Sequence, residues 1–164
     1  MMQAVNPDLD LTISRVIKAP RSVIWSAWTD PWSFEQWWVP APAKCKVLAM
    51  DLHPGGSFET QISEDGGEFV PHLSGCFLDI AEGERITFTN ALLGGWRPAE
   101  HPFMTAIITL QEHLQGTEYV AHVKHKNDAD RAMHEKMGFA DGWGTVTEQL
   151  AKLAEQRAPS QARP

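Results

Sequence analysis

A chain of 164 residues with a formal charge of −7 is about one domain's worth of polypeptide, long enough to bury roughly 70% of its unfolded surface. Its lysines and arginines are scattered and form no basic stripe, which argues against nucleic acid or an anionic membrane surface as the partner. It has no apolar run near the roughly 20 residues of a membrane span, no apolar signal core, and only Cys45 and Cys76, without close metal spacing; reduced thiols in a cytoplasmic protein are expected.

Taken in chain order, Leu9 to Ile17 alternates loosely and reads as a strand, ended by Lys18-Ala19-Pro20. Val23, Ile24, Ala27 and Trp28 have helical spacing, giving a short helix from Arg21 to Thr29. Asp30-Pro31 starts a second helix, since aspartate accepts from orphan amides and proline is preorganised for the first helical position. That helix is predicted to reach Trp38, before Pro40 and Pro42. From Lys44 onward glycine pairs and short branched or aromatic runs describe an antiparallel meander, with strands at Lys46 to Asp51, Gly56 to Ser63, Val70 to Ile80, Arg85 to Thr89, Phe103 to Glu112 and Thr117 to His125. The connection Asn90 to Pro102 is too long for a tight turn and is predicted to cross one mouth of the sheet.

The end of the chain is helical. Phe139, Trp143, Val146, Leu150 and Leu153 recur every three or four residues, with Asp141, Thr147, Glu148, Lys152 and Glu155 opposite. Met133 and Met137 point elsewhere, and Gly138 stands between the two phases, so two pieces are predicted: Asp128 to Met137 and Phe139 to Gln156. Strand, two short helices, six strands and a long helix make an α+β domain whose one sheet is covered by the terminal helix. The domain is expected over residues 9–156, with flexible termini at 1–8 and 157–164. Seven tryptophans stand against one tyrosine, and core packing is the simplest use of most of them.

Three segments, Trp28-Thr29-Asp30-Pro31 with Trp37-Trp38-x-Pro40, Asp51 to Phe58 with its Gly55-Gly56 pair, and Met137-Gly138-Phe139-x-x-Gly142-Trp143, resemble the signatures of the START-like (SRPBCC) helix-grip superfamily. They are most similar to its branch related to the activator of the heat-shock chaperone ATPase. The resemblance spans about Leu9 to Gln156. It implies a seven-stranded antiparallel curved sheet gripping the long helix around an apolar cavity, with no obligatory metal or nucleotide cofactor. Members bind lipids, sterols, polyketides and hormones, and some act as cyclases or dehydratases, so fold leaves activity open. The eukaryotic co-chaperone owes part of its function to a further N-terminal domain without counterpart here, which argues against a chaperone role. A homodimer would follow family habit.

Within that frame the expected pocket residues are Phe58, Thr60 and Ile62 in one inward register, with Phe77, then Ile107, Tyr119, Ala121 and Val123 from the last strands. Phe139, Trp143 and Val146 would line the helix side, and Trp37, Trp38 and Trp96 the entrance. His125 ends a strand and His134 lies in the next helix, and relatives often have a histidine at each place; a polar cluster near the helix start is one reading, a histidine bonded to backbone the plainer one. No His-Glu-x-x-His or Cys-x-x-Cys pattern suggests a metal. Gly55-Gly56 reads as a hairpin turn and Gly75 as a bulge or close backbone approach. Cys76 reads as a small core hydrophobe, with a nucleophile as the alternative. The leading expectation is a small apolar or aromatic ligand between sheet and helix, oriented by Tyr119, His125 and His134; an enzyme of cyclase, dehydratase or hydrolase type and a chaperone-assisting module are the alternatives.

Overall fold

The computed structural model describes residues 4–159. Chain order is β1 (Asp10–Ile17), α1 (Arg21–Thr29), α2 (Pro31–Phe34), β2 (Lys44–Met50), β3 (Ser57–Ser63), β4 (Val70–Ala81), β5 (Arg85–Thr89), β6 (Leu92–Leu93), β7 (Arg97–Pro98), β8 (Met104–His113), β9 (Gly116–His125), α3 (Asp128–Lys136) and α4 (Phe139–Arg157). Seven strands form one antiparallel sheet in the order β1-β9-β8-β5-β4-β3-β2, curved around α4. This is the α+β helix-grip arrangement that the resemblance implies. Successive hairpins place β2 to β5 side by side, and β1 joins the far edge by pairing with β9 from Asp10↔Lys124 to Ile17↔Thr117.

The connection from Asn90 to Pro102 is not irregular throughout, because Leu92 pairs with Pro98 and Leu93 with Arg97 in a separate two-stranded hairpin. The second helix is shorter than its pattern predicts. Asp30 caps it, accepting from Ser33 N at 3.1 Å and Ser33 Oγ at 2.7 Å, but after Phe34 only single turns continue. The segment that follows is tied to α4: Gln149 Nε2 donates to the carbonyls of Trp37 at 3.0 Å and Val39 at 2.8 Å, and its Oε1 accepts from Ala41 N at 2.8 Å. Backbone groups left without a helical partner are thus satisfied by the terminal helix.

Gly138, at φ 97°, separates α3 from α4 as predicted, a left-handed conformation that costs a non-glycine residue about 1–2 kcal/mol. The buried stripe of α4 is Phe139, Val146, Thr147, Leu150, Ala151 and Ala154. Thr147 was placed on the wet side by periodicity; it is buried because its hydroxyl donates to the Trp143 carbonyl at 2.6 Å, which leaves its methyl for the sheet. Glu148 and Glu155 flank the stripe and pair with Arg15 of β1 at 2.5 and 3.6 Å. The helix ends at Arg157, whose Nη1 donates to Ser33 Oγ at 2.7 Å, while the N-terminal side of β1 begins with a turn at Asn6, whose backbone N donates to Asp10 Oδ2 at 2.9 Å. Residues 1–3 and 160–164, within the termini expected to be flexible, lie outside the described residues. Among the described residues no helix is long and apolar enough to cross a membrane.

The concave side of the sheet is filled at one end by rings. Trp28 stands at the centre, 5.1 Å from Phe34, 5.3 Å from Trp37, 5.4 Å from Trp38 and 6.0 Å from Phe88, centroid to centroid, and Phe58 stacks on Phe77 at 4.5 Å. Trp28 Nε1 donates to the Tyr119 hydroxyl at 3.1 Å and Trp37 Nε1 to the Ala27 carbonyl at 2.9 Å, so these indoles meet their polar needs inside the core. Much of the space predicted to be cavity is therefore solid.

Candidate functional site

Beyond that plug, where α4 begins, a pocket of about 370 Å³ remains between α3, the first turns of α4 and the inner edges of β4, β5 and β8. Its apolar walls come from Trp38, Leu73, Phe103, Met104, Trp143 and Val146, with Pro40 and Met137 beside them. Its polar groups are His72, Asn90 and His134; among the described residues no Asp, Glu, Lys or Arg side chain lines it. Gly142 also lines it, and a Cβ there would meet nothing within 4 Å.

Each polar group is held by its neighbours. Pairing of β3 with β4 slips between Thr60 and Gln61, leaving His72 as the extra residue of a bulge, and the bulge brings it and Leu73 to the same pocket, with His72 Nδ1 3.1 Å from Thr60 Oγ1. Asn90 Oδ1 accepts from the backbone N of both Phe103 and Met104 at 2.9 Å, which fixes the amide's orientation and leaves its NH₂ without a partner among the described residues. Asn127 caps α3 by accepting from Asp130 N at 2.8 Å. One turn before α4, His134 Nδ1 then lies 2.8 Å from His125 Nε2, and His125 Nδ1 lies 2.8 Å from the Leu9 carbonyl. Both sequence readings of these histidines hold at once: His125 bonds to backbone, and the two rings form a cluster.

Rings continue from this pair around the pocket. His134 is 5.0 Å from both Phe103 and Phe139, Phe139 stacks on Trp143 at 5.5 Å, and Trp143 meets Trp38 edge-on at 6.1 Å. Trp38 is only 8% exposed, yet its Nε1–H is buried without a hydrogen-bond partner. Such an orphan donor costs about 1–3 kcal/mol. Burial, followed by the neighbouring His125 ring, pushes His134 down to about 4, so it is neutral at pH 7.

Of the residues expected at the pocket, Trp38, His134, Trp143 and Val146 line it, and Thr60, His125 and Phe139 stand directly behind its lining. The others do not reach it. Trp37, Phe58, Phe77, Tyr119, Ala121 and Val123 belong to the packed core, where the Tyr119 hydroxyl is spent on Trp28 and burial pushes its phenol up. Ile62 packs at the core's margin. Ile107 lies on the opposite face, because Ala106, Ile108 and Leu110 take the inward register of β8 and Ile107 is paired with His122. Trp96 is 51% exposed and rests on Gly55, whose added Cβ would fall 2.6 Å from the indole nitrogen.

Pattern reading missed His72, Asn90, Phe103, Met104 and Met137. Pro71 inside a strand was the available sign of the bulge. Gly75 does mark a close approach, by the Thr89 carbonyl of β5, which would lie 2.3 Å from a Cβ there. Cys76 is fully buried with Sγ donating to the Phe77 carbonyl at 3.3 Å, and burial, ahead of the charge of Glu35, pushes the Cys45 thiol up to about 12. Cys76 lacks the exposure of a nucleophile, and the Cys45 thiol, also buried, lacks thiolate character. Among the described residues no group of three His, Cys, Asp or Glu side chains is placed to hold a metal ion.

His134 also makes stability depend on pH. Its folded value lies below the ordinary 6.5, so the unfolded chain takes up the proton first as pH falls. The contribution is complete above about pH 6.5 and is lost as pH drops towards 4. Screening at this half-buried site keeps it to roughly 1–2 kcal/mol. Between pH 7 and pH 4.5 the unfolding free energy from urea titrations should fall by about that amount less in His134→Gln than in the wild type.

Comparison with known proteins places the chain. A model of the family described as "Activator of Hsp90 ATPase homolog 1-like protein" matches residues 18–155. A crystal structure of a Nitrosomonas europaea protein is 38% identical, with 93% of this chain and 98% of that one covered and a TM-score of 0.85. A Mycobacterium smegmatis protein at 23% identity, covering 94% and 96%, gives a TM-score of 0.77. A protein from Aeromonas hydrophila named AHSA1-like, at 15% identity and covering 94% and 98%, gives 0.64. These last two speak to fold alone. No curated protein matches the sequence.

Proposed function

Because the chain belongs to the family of Activator of Hsp90 ATPase homolog 1-like proteins, a helix-grip fold in which binding and cyclase-like chemistry are both known, we propose that it is a cytoplasmic binding protein. It takes one small, largely apolar or aromatic molecule into the pocket beside α4. The observation that carries this reading is the unfilled 370 Å³ next to a core that is otherwise packed with rings. A helix start with Gly142 on the pocket lining gives up about 1 kcal/mol of helix propensity, and the space it leaves is supporting evidence for an occupant. Affinity comes from burying apolar surface at about 25 cal/mol per Å², less the entropic cost of association.

A cavity enzyme would need a proton-transfer group poised near the working pH. His134, pushed down to about 4, is a weak base, and no carboxylate lines the pocket. These features favour binding over catalysis. The chaperone-assisting alternative rests on the family's description only.

Native mass spectrometry of the protein purified from its own host tests the proposal. The expected result is a 1:1 adduct of a small apolar compound that survives desalting. Bare protein in every preparation, with no adduct restored by host lipid or metabolite extract, would overturn it.

A further inference from the structure

Resting on the binding proposal above, the hydrogen-bond relay behind the pocket defines what its occupant must offer. We infer that the site selects a neutral molecule that donates a hydrogen bond, of the hydroxy-aromatic class, because Leu9 and His125 together hold His134 as an acceptor on the pocket wall.

The argument starts from a group with no choice. The Leu9 carbonyl can only accept, and it receives both the His125 backbone N–H at 3.1 Å and His125 Nδ1 at 2.8 Å. Nδ1 of His125 therefore carries a proton. In a neutral ring its Nε2 is then bare, and His134 Nδ1, 2.8 Å away, must supply the proton between them. The remaining nitrogen, His134 Nε2, carries a lone pair and has no hydrogen-bond partner among the described residues. The opposite arrangement needs His125 as an imidazolium at 6% exposure, and no carboxylate pairs with either ring among the described residues. A buried, unpaired charge of that kind is costly.

The rest of the pocket sets the class. With no Lys or Arg lining it, a carboxylate or phenolate would be desolvated without a counter-charge and would face the bare nitrogen; with no Asp or Glu, an ammonium fares no better. Phe103, Trp38 and Trp143 line the pocket with aromatic rings, surroundings suited to a flat aromatic body. A hydroxyl on such a body reaches His134 as donor. His125 touches no ligand in this scheme: it is a positioning residue that sets the tautomer of His134.

Two measurements test this on the full chain. The first needs no ligand: ¹⁵N-detected imidazole spectra at pH 7 should show His134 protonated at Nδ1 and bare at Nε2. A proton on Nε2 overturns the inference. The second is calorimetric or fluorescence titration with 2-naphthol, 2-methoxynaphthalene and 2-naphthoate. We expect 2-naphthol to bind most tightly and naphthoate most weakly. The naphthol-over-ether ratio should fall about tenfold in His134→Phe, the worth of one hydrogen bond. The same ratio should fall in His125→Phe with ether affinity nearly unchanged, whereas a merely structural loss would weaken both ligands alike. An unchanged ratio in His134→Phe overturns the selection rule while leaving binding of apolar molecules intact. Binding of none of the three probes overturns it as well, and a copurifying adduct in native mass spectrometry would then show that binding itself survives. If His125→Phe fails to fold, the wild-type spectra and His134→Phe still decide.

Discussion

Trp28→Ala is expected to leave the protein at or below the edge of folding at 25 °C. The ring is in contact with Phe34, Trp37, Trp38, Phe58 and Phe88, and its Nε1 donates to Tyr119 at 3.1 Å. Removing it costs about 3–5 kcal/mol for the lost burial and the cavity left behind. A further 1 kcal/mol or so follows, because Tyr119, fully inside the core, loses its donor. Against a total stability of about 5–15 kcal/mol for a domain, that is a large share of what holds the chain together. Urea unfolding measures it directly. Trp32→Ala is the counterpart: at 78% exposure it should move the midpoint by no more than about 0.5 kcal/mol. Equal effects at the two tryptophans would mean that the ring cluster is not the core.

Gly142→Leu should separate stability from function, with a gain in one and a loss in the other. The position is helical, a Cβ there meets nothing within 4 Å, and glycine at such a site costs about 1 kcal/mol relative to a good helix former. Leucine therefore raises the melting temperature. Placed on the pocket lining, the leucine takes up part of the 370 Å³ and should reduce affinity for an aromatic ligand about 100-fold. Gly144→Ala supplies the control, since Gly144 also has open space around it but does not line the pocket. It should gain stability and keep binding. Sites where a sequence gives up local stability without a packing reason are where function is expected.

The two cases also explain how far the sequence could be read. The order of strands, the break at Gly138 and most of the α4 stripe follow from periodicity and turn chemistry, which act within a few residues and leave a plain pattern. Which inward side chains meet a cavity is a different kind of question. Tyr119, Ala121 and Val123 were correctly placed on the inner face, yet they lie against the ring cluster and not against open space. That outcome depends on how bulky rings from α1, α2 and the following turns fill a curved sheet, a volume problem that no spacing encodes. Ile107 failed by register, since one residue of offset turns a strand position to the other face. His72 and Asn90 were missed for a third reason: a bulge and a pair of backbone amides, 12 or more residues distant in sequence, set their positions. Gln149, to which the periodicity gives no role, anchors the segment that carries Trp38.

The central claim, an open pocket that receives a small aromatic molecule beside α4, is most directly tested by the indole N–H signals in ¹H–¹⁵N spectra as 2-naphthol is added. Seven tryptophans provide seven reporters at known places. The account predicts saturable shifts for Trp38 and Trp143, with Trp32 and Trp96 unmoved. Shifts confined to Trp32 and Trp96, or none at all up to the solubility limit of the probe, would contradict it.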